Sequence, residues 1–248
     1  MKNKNLYYIF LISATIMQTS QSISQKTIAF PSSDGLLITA DEYIIDKTKP
    51  FILLCHQARY SRGEYIETAK KLNTLGFNCV AIDQRSGGEV NGIKNETAAK
   101  AIGHKKPVGY LDAEQDIVAA IEYIFKIYNK KVILFGSSYS ASLALKIAKE
   151  NDRVMAVIAF SPGEYFDNVL HLAKTILGLD KPVFTASSKS EAPGVATLLK
   201  SVKEGKAVQY IPDVKSRHGS SALWSDNGDH KKVWKALENF LNQQITNF

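Results

Sequence analysis

Short, continuously apolar runs alternate along the chain with longer segments in which apolar residues recur every three or four positions. The runs predict strands that are buried on both faces, and the longer segments predict helices with one apolar face. The predicted strands are residues 26–30, 36–45, 51–55, 78–82, 132–135, 154–160, 182–186 and 208–211. The predicted helices are residues 64–75, 113–128, 141–149, 164–177, 196–204 and 229–242.

The order of these elements predicts the fold class. Alternation of strand and helix is typical of an α/β fold with a doubly wound, mostly parallel sheet flanked by helices. No repeat, linker or low-complexity segment divides the sequence, so we expect a single domain, residues 23–248. About twenty residues separate strands 154–160 and 182–186, which is too short for a large lid domain. Residues 84–111 show no clear period and are predicted to form a long loop.

Residues 1–22 have the pattern of a secretory signal peptide. Two lysines precede a mostly apolar run over residues 6–17, which is short for a membrane span, and Ser20 and Ser22 have the spacing of a signal-peptidase site. We therefore expect an exported protein, periplasmic or secreted, with no membrane span once the signal peptide is removed. An uncleaved N-terminal anchor is the alternative.

Charge and motif content exclude several classes of function. The formal charge is +7 over 248 residues, and loss of Lys2 and Lys4 with the signal peptide lowers it to +5. The remaining lysines are scattered as pairs on helix ends and loops, which indicates a solvated surface and argues against a nucleic-acid partner. The sequence contains no metal-ligand spacing, dinucleotide fingerprint or phosphate loop, so neither a metal nor a cofactor is predicted.

Residues 132–142 carry the most informative chemical pattern. An apolar strand runs into the sequence GSSYS at residues 136–140 and then directly into a helix. This context predicts a nucleophile elbow, a sharp strand-to-helix turn that exposes the hydroxyl of Ser138. The helix N-terminus beneath that hydroxyl favours developing negative charge. The general motif is Gly-x-Ser-x-Gly, and this chain has Ser140 at the last position; a turn that is merely rich in serine and glycine is the alternative.

A serine nucleophile needs a general base, which in this arrangement follows the last strand. His218 lies in the loop between the last predicted strand, residues 208–211, and the final helix. We therefore predict His218 as the base. His230 lies among charged residues of the final helix and is expected to face solvent.

A carboxylate must orient the imidazole and stabilise its protonated form. Glu191 is the first carboxylate after the predicted strand 182–186, and the chain order Ser138, Glu191, His218 matches the order Ser, Asp/Glu, His. Glu191 is the preferred acid. Glu164 is the alternative, and Asp213 is a third candidate that is close to His218 in the sequence.

Three segments together resemble the α/β-hydrolase superfamily, and in particular its small dienelactone-hydrolase-like and lysophospholipase-like esterases. They are LLCHQA at residues 53–58, AIDQRSGG at residues 81–88 and the elbow at residues 136–140. The resemblance covers nearly the whole chain after the signal peptide. It implies an oxyanion hole formed by the backbone N–H groups of Ala58 and Tyr139, and a structural role for His56.

The resemblance also bears on the two cysteines, Cys55 and Cys79. The strand order of the family makes residues 51–55 and 78–82 parallel neighbours, with Cys55 at the end of one strand and Cys79 near the start of the other. About 10–13 Å then separates them along the strands, which is too far for a disulfide. Two free buried thiols are expected.

These observations predict an exported serine hydrolase that cleaves a carboxylic ester through an acyl-enzyme intermediate, with a small-molecule ester or acyl substrate. A peptidase or a thioesterase using the same three residues, and a non-catalytic hydrolase-like binding protein, remain alternatives. Arg59 and Arg62 follow the oxyanion loop, where they could meet a substrate carboxylate, but solvation is the preferred interpretation. The sequence leaves the oligomeric state open.

Overall fold

A computed structural model describes residues 24–167 and 169–245 of the chain. The predicted signal peptide, residues 1–22, lies outside this described part. Within the described residues, no helix is long and apolar enough to cross a membrane.

The described residues form an eight-stranded sheet with strand order β1-β2-β4-β3-β7-β8-β9-β10. The strands are β1 (Ser24–Pro31), β2 (Leu37–Ile44), β3 (Phe51–Cys55), β4 (Asn78–Ile82), β7 (Val132–Ser137), β8 (Val154–Phe160), β9 (Val183–Ala186) and β10 (Ala207–Tyr210). The pairs β1–β2 and β2–β4 are antiparallel, and every other neighbouring pair is parallel. The mostly parallel α/β sheet predicted from the sequence is therefore confirmed.

Helices cover both faces of the sheet. They are α1 (Ile66–Thr74), α2 (Glu96–Gly103), α3 (Glu114–Tyr128), α4 (Tyr139–Glu150), α5 (Leu172–Thr175), α6 (Ala192–Leu199) and α7 (His230–Ile245). Side chains of β3 alternate between the two layers: Leu53 packs in the core with α3 and α4, and Leu54 packs in the core with α1 and α7. Burial on both faces explains why the strands appear as unbroken apolar runs.

The parallel strands end side by side, which determines where their connecting loops meet. The register pairs Cys55 with Gly136, Ser137 with Phe160, Phe160 with Ala186, and Ala186 with Tyr210. The loops that follow β3, β7, β8, β9 and β10 therefore begin at one edge of the sheet. Ligands of open α/β sheets bind at this carboxyl edge.

Residues 84–111 were predicted to be a long loop, and this prediction is wrong. They contain a hairpin, β5 (Glu89–Val90) and β6 (Ile93–Lys94), and helix α2. Asn95 caps α2 by accepting a hydrogen bond from the N–H of Ala98 at 2.7 Å. The buried face of α2 consists of the small residues Thr97, Ala98 and Ala101, and the helix is only eight residues long.

Two predicted helices differ from those observed. In the described residues of the range 164–177, the one helix is the four-residue α5. The Glu164 carboxylate accepts the N–H groups of Leu172 and Ala173 at 2.7 and 3.0 Å, which folds the segment back on itself. Helix α6 begins at Ala192, before the predicted start at residue 196. It includes a proline in its first turn, where the missing N–H has no helical partner to lose.

Two arginines are buried in ion-pair networks beside the sheet. Arg85 is fully buried, and its guanidinium contacts Asp116 at 2.8 Å and Asp34 at 3.0 Å. Arg62 bonds Asp83 at 2.6 Å and Glu96 at 2.9 Å. The interpretation of Arg62 as solvated or substrate-facing is therefore wrong, because its charge is neutralised inside the fold.

The thiols of Cys55 and Cys79 are both free and buried, as expected. Cys79 lies opposite Ile52 on the neighbouring strand, three residues before Cys55, which puts the two about 10 Å apart along the strands. Burial raises the pKa of both thiols.

We predict that iodoacetamide without reductant leaves both cysteines unmodified in the native protein, because neither is accessible and neither is a thiolate at neutral pH. In denaturant, intact-mass spectrometry should show two added groups per chain. Two adducts that form in denaturant only after reduction would contradict the free-thiol geometry.

We predict that Asp116→Ala lowers the free energy of unfolding by about 3–5 kcal/mol, because it leaves part of the buried Arg85 charge without its partner. Urea denaturation measures the change. Glu122→Ala is the control, since it breaks the exposed pair with Arg153 and should cost about 1 kcal/mol or less. Equal losses of unfolding free energy in the two variants would show that the buried ion pair contributes no more to stability than the exposed pair.

Candidate active site

Ser138 occupies the sharp turn between β7 and α4. Its φ and ψ are 59° and −125°, a conformation that costs a non-glycine residue about 1–3 kcal/mol and that the surroundings must impose. Gly136 permits the turn, because a Cβ at this position would lie 2.3 Å from the Ser140 carbonyl oxygen and 2.5 Å from the Cα of Ala141. This strand–turn–helix geometry is that of a nucleophile elbow.

Ser140 stands where the general motif has glycine, and its side chain has a defined structural place. The Ser140 hydroxyl lies 2.7 Å from the Cys55 carbonyl oxygen and accepts the N–H of Ser137 at 3.0 Å. The hydroxyl thus ties the elbow to the end of β3. The elbow geometry is therefore formed with serine, instead of glycine, at position 140.

Glu191 and His218 lie in contact at the carboxyl edge of the sheet. The Nδ1 atom of His218 is 2.5 Å from Oε1 of Glu191. The other oxygen, Oε2, accepts the Ser188 hydroxyl at 2.6 Å, the Ser188 N–H at 2.9 Å and the Ser161 hydroxyl at 2.9 Å. Three hydrogen bonds therefore fix Oε2, and Oε1 contacts the imidazole.

The other two candidate acids lie elsewhere. Glu164 accepts backbone N–H groups at the start of α5. Asp213 forms an exposed ion pair with Lys232 at 2.9 Å. Of the three carboxylates considered from the sequence, the structure brings Glu191 to His218.

The electrostatics of this pair favour a charged carboxylate and a basic imidazole. Burial opposes ionisation of Glu191, but hydrogen bonds from His218 and Ser188 outweigh it and lower the pKa of Glu191 to about 2. The hydrogen bond to Glu191 raises the pKa of His218, and burial opposes this rise. A carboxylate that stays ionised fixes the neutral imidazole in the tautomer with the proton on Nδ1, which leaves Nε2 free to accept a proton.

The loop that carries His218 is fixed by the residues that follow it. Gly219 has φ = 70°, and a Cβ there would lie 2.3 Å from Oε1 of Gln57 and 2.6 Å from Oγ of Ser137. Its N–H donates to the Ser161 hydroxyl at 3.0 Å. Glycine therefore allows the histidine loop to pack directly against the elbow.

His56 fixes the backbone of the predicted oxyanion loop. Its Nε2 accepts the N–H of Gln84 at 2.9 Å, so the ring proton is on Nδ1, which contacts the Gln57 carbonyl oxygen at 2.8 Å. That carbonyl belongs to the same peptide unit as the N–H of Ala58. Burial lowers the pKa of His56 and keeps it neutral. His56 thus has a structural position, as the resemblance implies.

Tyr139, the second predicted oxyanion donor, is the first residue of α4. Its N–H has no acceptor within the helix, as is general for first-turn amides. The helix N-terminus adds a favourable field for an anion at this position. The tyrosine ring itself is buried and stacks on Tyr110 with ring centroids 4.4 Å apart.

Ser138 and His218 are not yet joined in this conformation. Among the hydrogen bonds of the described residues, Ser138 Oγ makes none to the His218 ring. The Tyr165 hydroxyl donates to the Ser161 carbonyl oxygen at 2.8 Å. Hydrogen bonds at such sites often tighten only when substrate is bound.

Sequence reasoning missed three residues of this region: Ser161, Tyr165 and Glu64. Ser161 and Tyr165 follow β8 at the carboxyl edge of the sheet, and Tyr165 falls within the predicted helix 164–177, which the structure does not form at that position. Glu64 was interpreted only as the start of a helix, yet it is fully buried beside the elbow. The one sequence feature that could have indicated Glu64 is its position as a carboxylate shortly after the predicted oxyanion loop.

The pocket that adjoins the candidate site is small and partly apolar. A pocket of about 350 Å³ adjoins Glu191 and Tyr165 and is also lined by Val195 and Leu198. A larger groove of about 830 Å³ runs along β1 and α3 and includes none of the candidate residues in its lining. In the part of the chain that the structure describes, no cluster of His, Cys, Asp and Glu could hold a metal ion.

Comparison with solved structures shows similar folds at low sequence identity. An esterase of Pyrococcus furiosus superposes with a TM-score of 0.70 at 15% identity, covering 94% of this chain and 97% of that one. A dienelactone hydrolase of Anabaena variabilis gives 0.68 at 16% identity, covering 89% and 98%. The esterase domain of a Rhodothermus marinus protein gives 0.61 at 15% identity, covering 89% and 99%.

Comparison of the sequence with protein families gives a match over more than half of the chain. Residues 46–217, which extend from just before β3 to the residue before His218, match the family described as serine aminopeptidase, S33. No curated protein matches the sequence. The fold, the elbow and this match agree: the chain belongs to the serine aminopeptidase S33 family and has the α/β-hydrolase fold.

Proposed function

We propose that this protein is an exported serine hydrolase that cleaves carboxylic esters of small molecules, with Ser138 as nucleophile, His218 as base and Glu191 as the acid that orients the base. The observation that carries the proposal is the Glu191–His218 contact at 2.5 Å beside a serine held in elbow geometry. Export rests on the sequence pattern of residues 1–22 alone.

The reaction begins with attack of Ser138 on the ester carbonyl. His218 Nε2 takes the hydroxyl proton as the new C–O bond forms, and the ionised Glu191 stabilises the resulting imidazolium. For this step the Ser138 hydroxyl turns towards His218. The negative charge moves to the carbonyl oxygen, where the N–H groups of Ala58 and Tyr139 donate to it.

Collapse of the tetrahedral intermediate breaks the bond to the leaving alcohol, which receives the proton from His218. The acyl group stays on Ser138 as an ester. Water then attacks this ester, with His218 again accepting a proton, and the carboxylic acid and free Ser138 are released. Each proton taken by His218 is returned, so no cofactor enters the scheme.

The ester preference is supported by the names of the similar structures, two of which are esterases and one a dienelactone hydrolase. A second candidate is hydrolysis of an N-terminal peptide bond, which the family's description favours. Both reactions use the same acyl-enzyme chemistry and differ in the leaving group.

We predict that Ser138→Ala reduces hydrolysis of p-nitrophenyl acetate to background, a loss of roughly 10⁶-fold in kcat, without changing the thermal unfolding midpoint. A fluorophosphonate probe should label the unmodified protein and Ser225→Ala, but not Ser138→Ala. Labelling that survives in Ser138→Ala would assign the nucleophile elsewhere. Turnover of an amino-acid p-nitroanilide, with no turnover of the ester, would favour the aminopeptidase.

We predict that kcat/KM rises with pH through the pKa of His218, because only the neutral imidazole accepts the serine proton. Glu191→Gln removes the hydrogen-bonded negative charge that raises the pKa of His218. The acid limb should therefore move to lower pH, while the plateau falls by roughly 10⁴-fold.

Glu164→Gln is the matched control for this measurement. It alters the other glutamate considered as the acid, and the acid limb should stay where it is in the unmodified protein. A shift in Glu164→Gln combined with no shift in Glu191→Gln would reverse the assignment of the acid.

A further inference from the structure

Glu64 is a buried carboxylate that the proposed reaction does not use. It lies in the short 3₁₀ turn Arg62–Tyr65 between β3 and α1 and is fully buried. Its main-chain carbonyl accepts the indole N–H of Trp224 at 3.0 Å, which fixes the turn against the segment after His218. The side chain points into the space behind the candidate active site.

Three hydrogen bonds converge on the Glu64 carboxylate from three different segments. The N–H of Gln57 donates to Oε2 at 2.8 Å. The hydroxyls of Ser137 and Ser220 donate to Oε1 at 2.8 and 2.5 Å. The Ser137 hydroxyl also accepts the N–H of Ser220 at 2.9 Å, which closes the network.

Each donor lies next to one part of the proposed machinery. Gln57 precedes Ala58, whose N–H is a proposed oxyanion donor. Ser137 precedes the nucleophile, and Ser220 follows the base by two residues. The Glu64 carboxylate therefore links the oxyanion loop, the elbow and the histidine loop, which lie far apart in the sequence.

The network requires an acceptor with two free oxygens. The Gln57 N–H can only donate, and both serine hydroxyls direct their protons at Glu64. A protonated carboxyl would bring a fourth proton into a site built for three, so one hydrogen bond would have to reverse or break. The ionised form satisfies every donor.

The charge on Glu64 is also coupled to His218. Burial raises the pKa of Glu64 to about 7, opposed by the hydrogen bonds from Ser220, Gln57 and Ser137 and by the charge of His218. In return, Glu64 contributes to the raised pKa of His218. Tyr65 also interacts with Glu64, and burial keeps its hydroxyl neutral.

We propose that Glu64 is a positioning residue: its ionised carboxylate holds the oxyanion loop, the nucleophile and the base in register, and its negative charge supports the protonated base. This inference rests on the proposed serine hydrolase function. Protonation of either residue then abolishes activity: a protonated Glu64 no longer holds the arrangement, and a protonated His218 no longer accepts the serine proton.

The pH profile of kcat/KM for p-nitrophenyl acetate tests this inference. In the unmodified protein, the acid limb should reflect two protons, one on His218 and one on Glu64, so log kcat/KM should fall with a slope approaching two. Glu64→Gln has nearly the same shape but no charge. Its acid limb should have a slope of one and lie at lower pH, and its plateau should fall on the order of 10²-fold, as expected for a misplaced site.

Ser220→Ala gives a second, opposite signature. It removes one donor to the ionised carboxylate, so the pKa of Glu64 rises and the acid limb should move to higher pH. If Glu64→Gln does not fold, this shift decides the question, because Ser220→Ala leaves the carboxylate in place. A limb that does not move in Ser220→Ala overturns the inference.

Glu67→Gln is the matched control, one turn further along the same segment. Its carboxylate accepts the N–H of Ser225 at the surface, at 3.0 Å, and does not reach the site. This variant should keep the plateau, the slope and the limb of the unmodified protein. Tryptophan fluorescence at each pH checks that the fold is intact over the range used.

The outcomes separate this inference from the proposed function. An unmodified protein that neither hydrolyses the ester nor reacts with fluorophosphonate contradicts the proposed function, and the inference fails with it. An active protein in which Glu64→Gln retains the plateau and the two-proton limb contradicts the inference alone. A lowered plateau with an unchanged limb assigns Glu64 a purely structural role and also overturns the proposal.

Discussion

The parallel pairing of β3, β7, β8, β9 and β10 is the constraint on which the rest of this structure depends. Because neighbouring strands are in register up to their carboxyl ends, five loops start at one edge of the sheet. None of those loops needs to be long to reach the others. Residues separated by up to 160 positions in the sequence, such as those joined to Glu64 and its turn, meet there as a result.

Sequence patterns predicted the parts of the molecule that local physics determines. The strands are continuous apolar runs because both faces of the sheet are covered, and β3, β4 and β8 begin and end where the patterns indicated. The position of Ser138 follows from a strand, a turn of small residues and a helix in immediate succession. His218 and Glu191 could be selected because each follows a strand that ends at the same edge.

The parts that the sequence did not predict depend on contacts between distant segments. Helix α2 is only eight residues long and buries small alanine and threonine side chains, and its start depends on the Asn95 cap. The segment after β8 has helical spacing, but the Glu164 carboxylate satisfies backbone groups that a longer helix would have used otherwise. Arg62 looked like a surface residue because its partners Asp83 and Glu96 are 21 and 34 positions away.

The buried carboxylates of the fold differ in the partners that surround their charge. Asp83 and Asp116 each face an arginine, so the buried charge is neutralised where it lies. Glu64 is as buried as these but is held only by an amide and two hydroxyls, and its charge interacts with the imidazole of His218. An ion pair would have been the simpler structural solution. A carboxylate left without a cation beside the proposed base, His218, is placed where its charge can respond to a proton on that base.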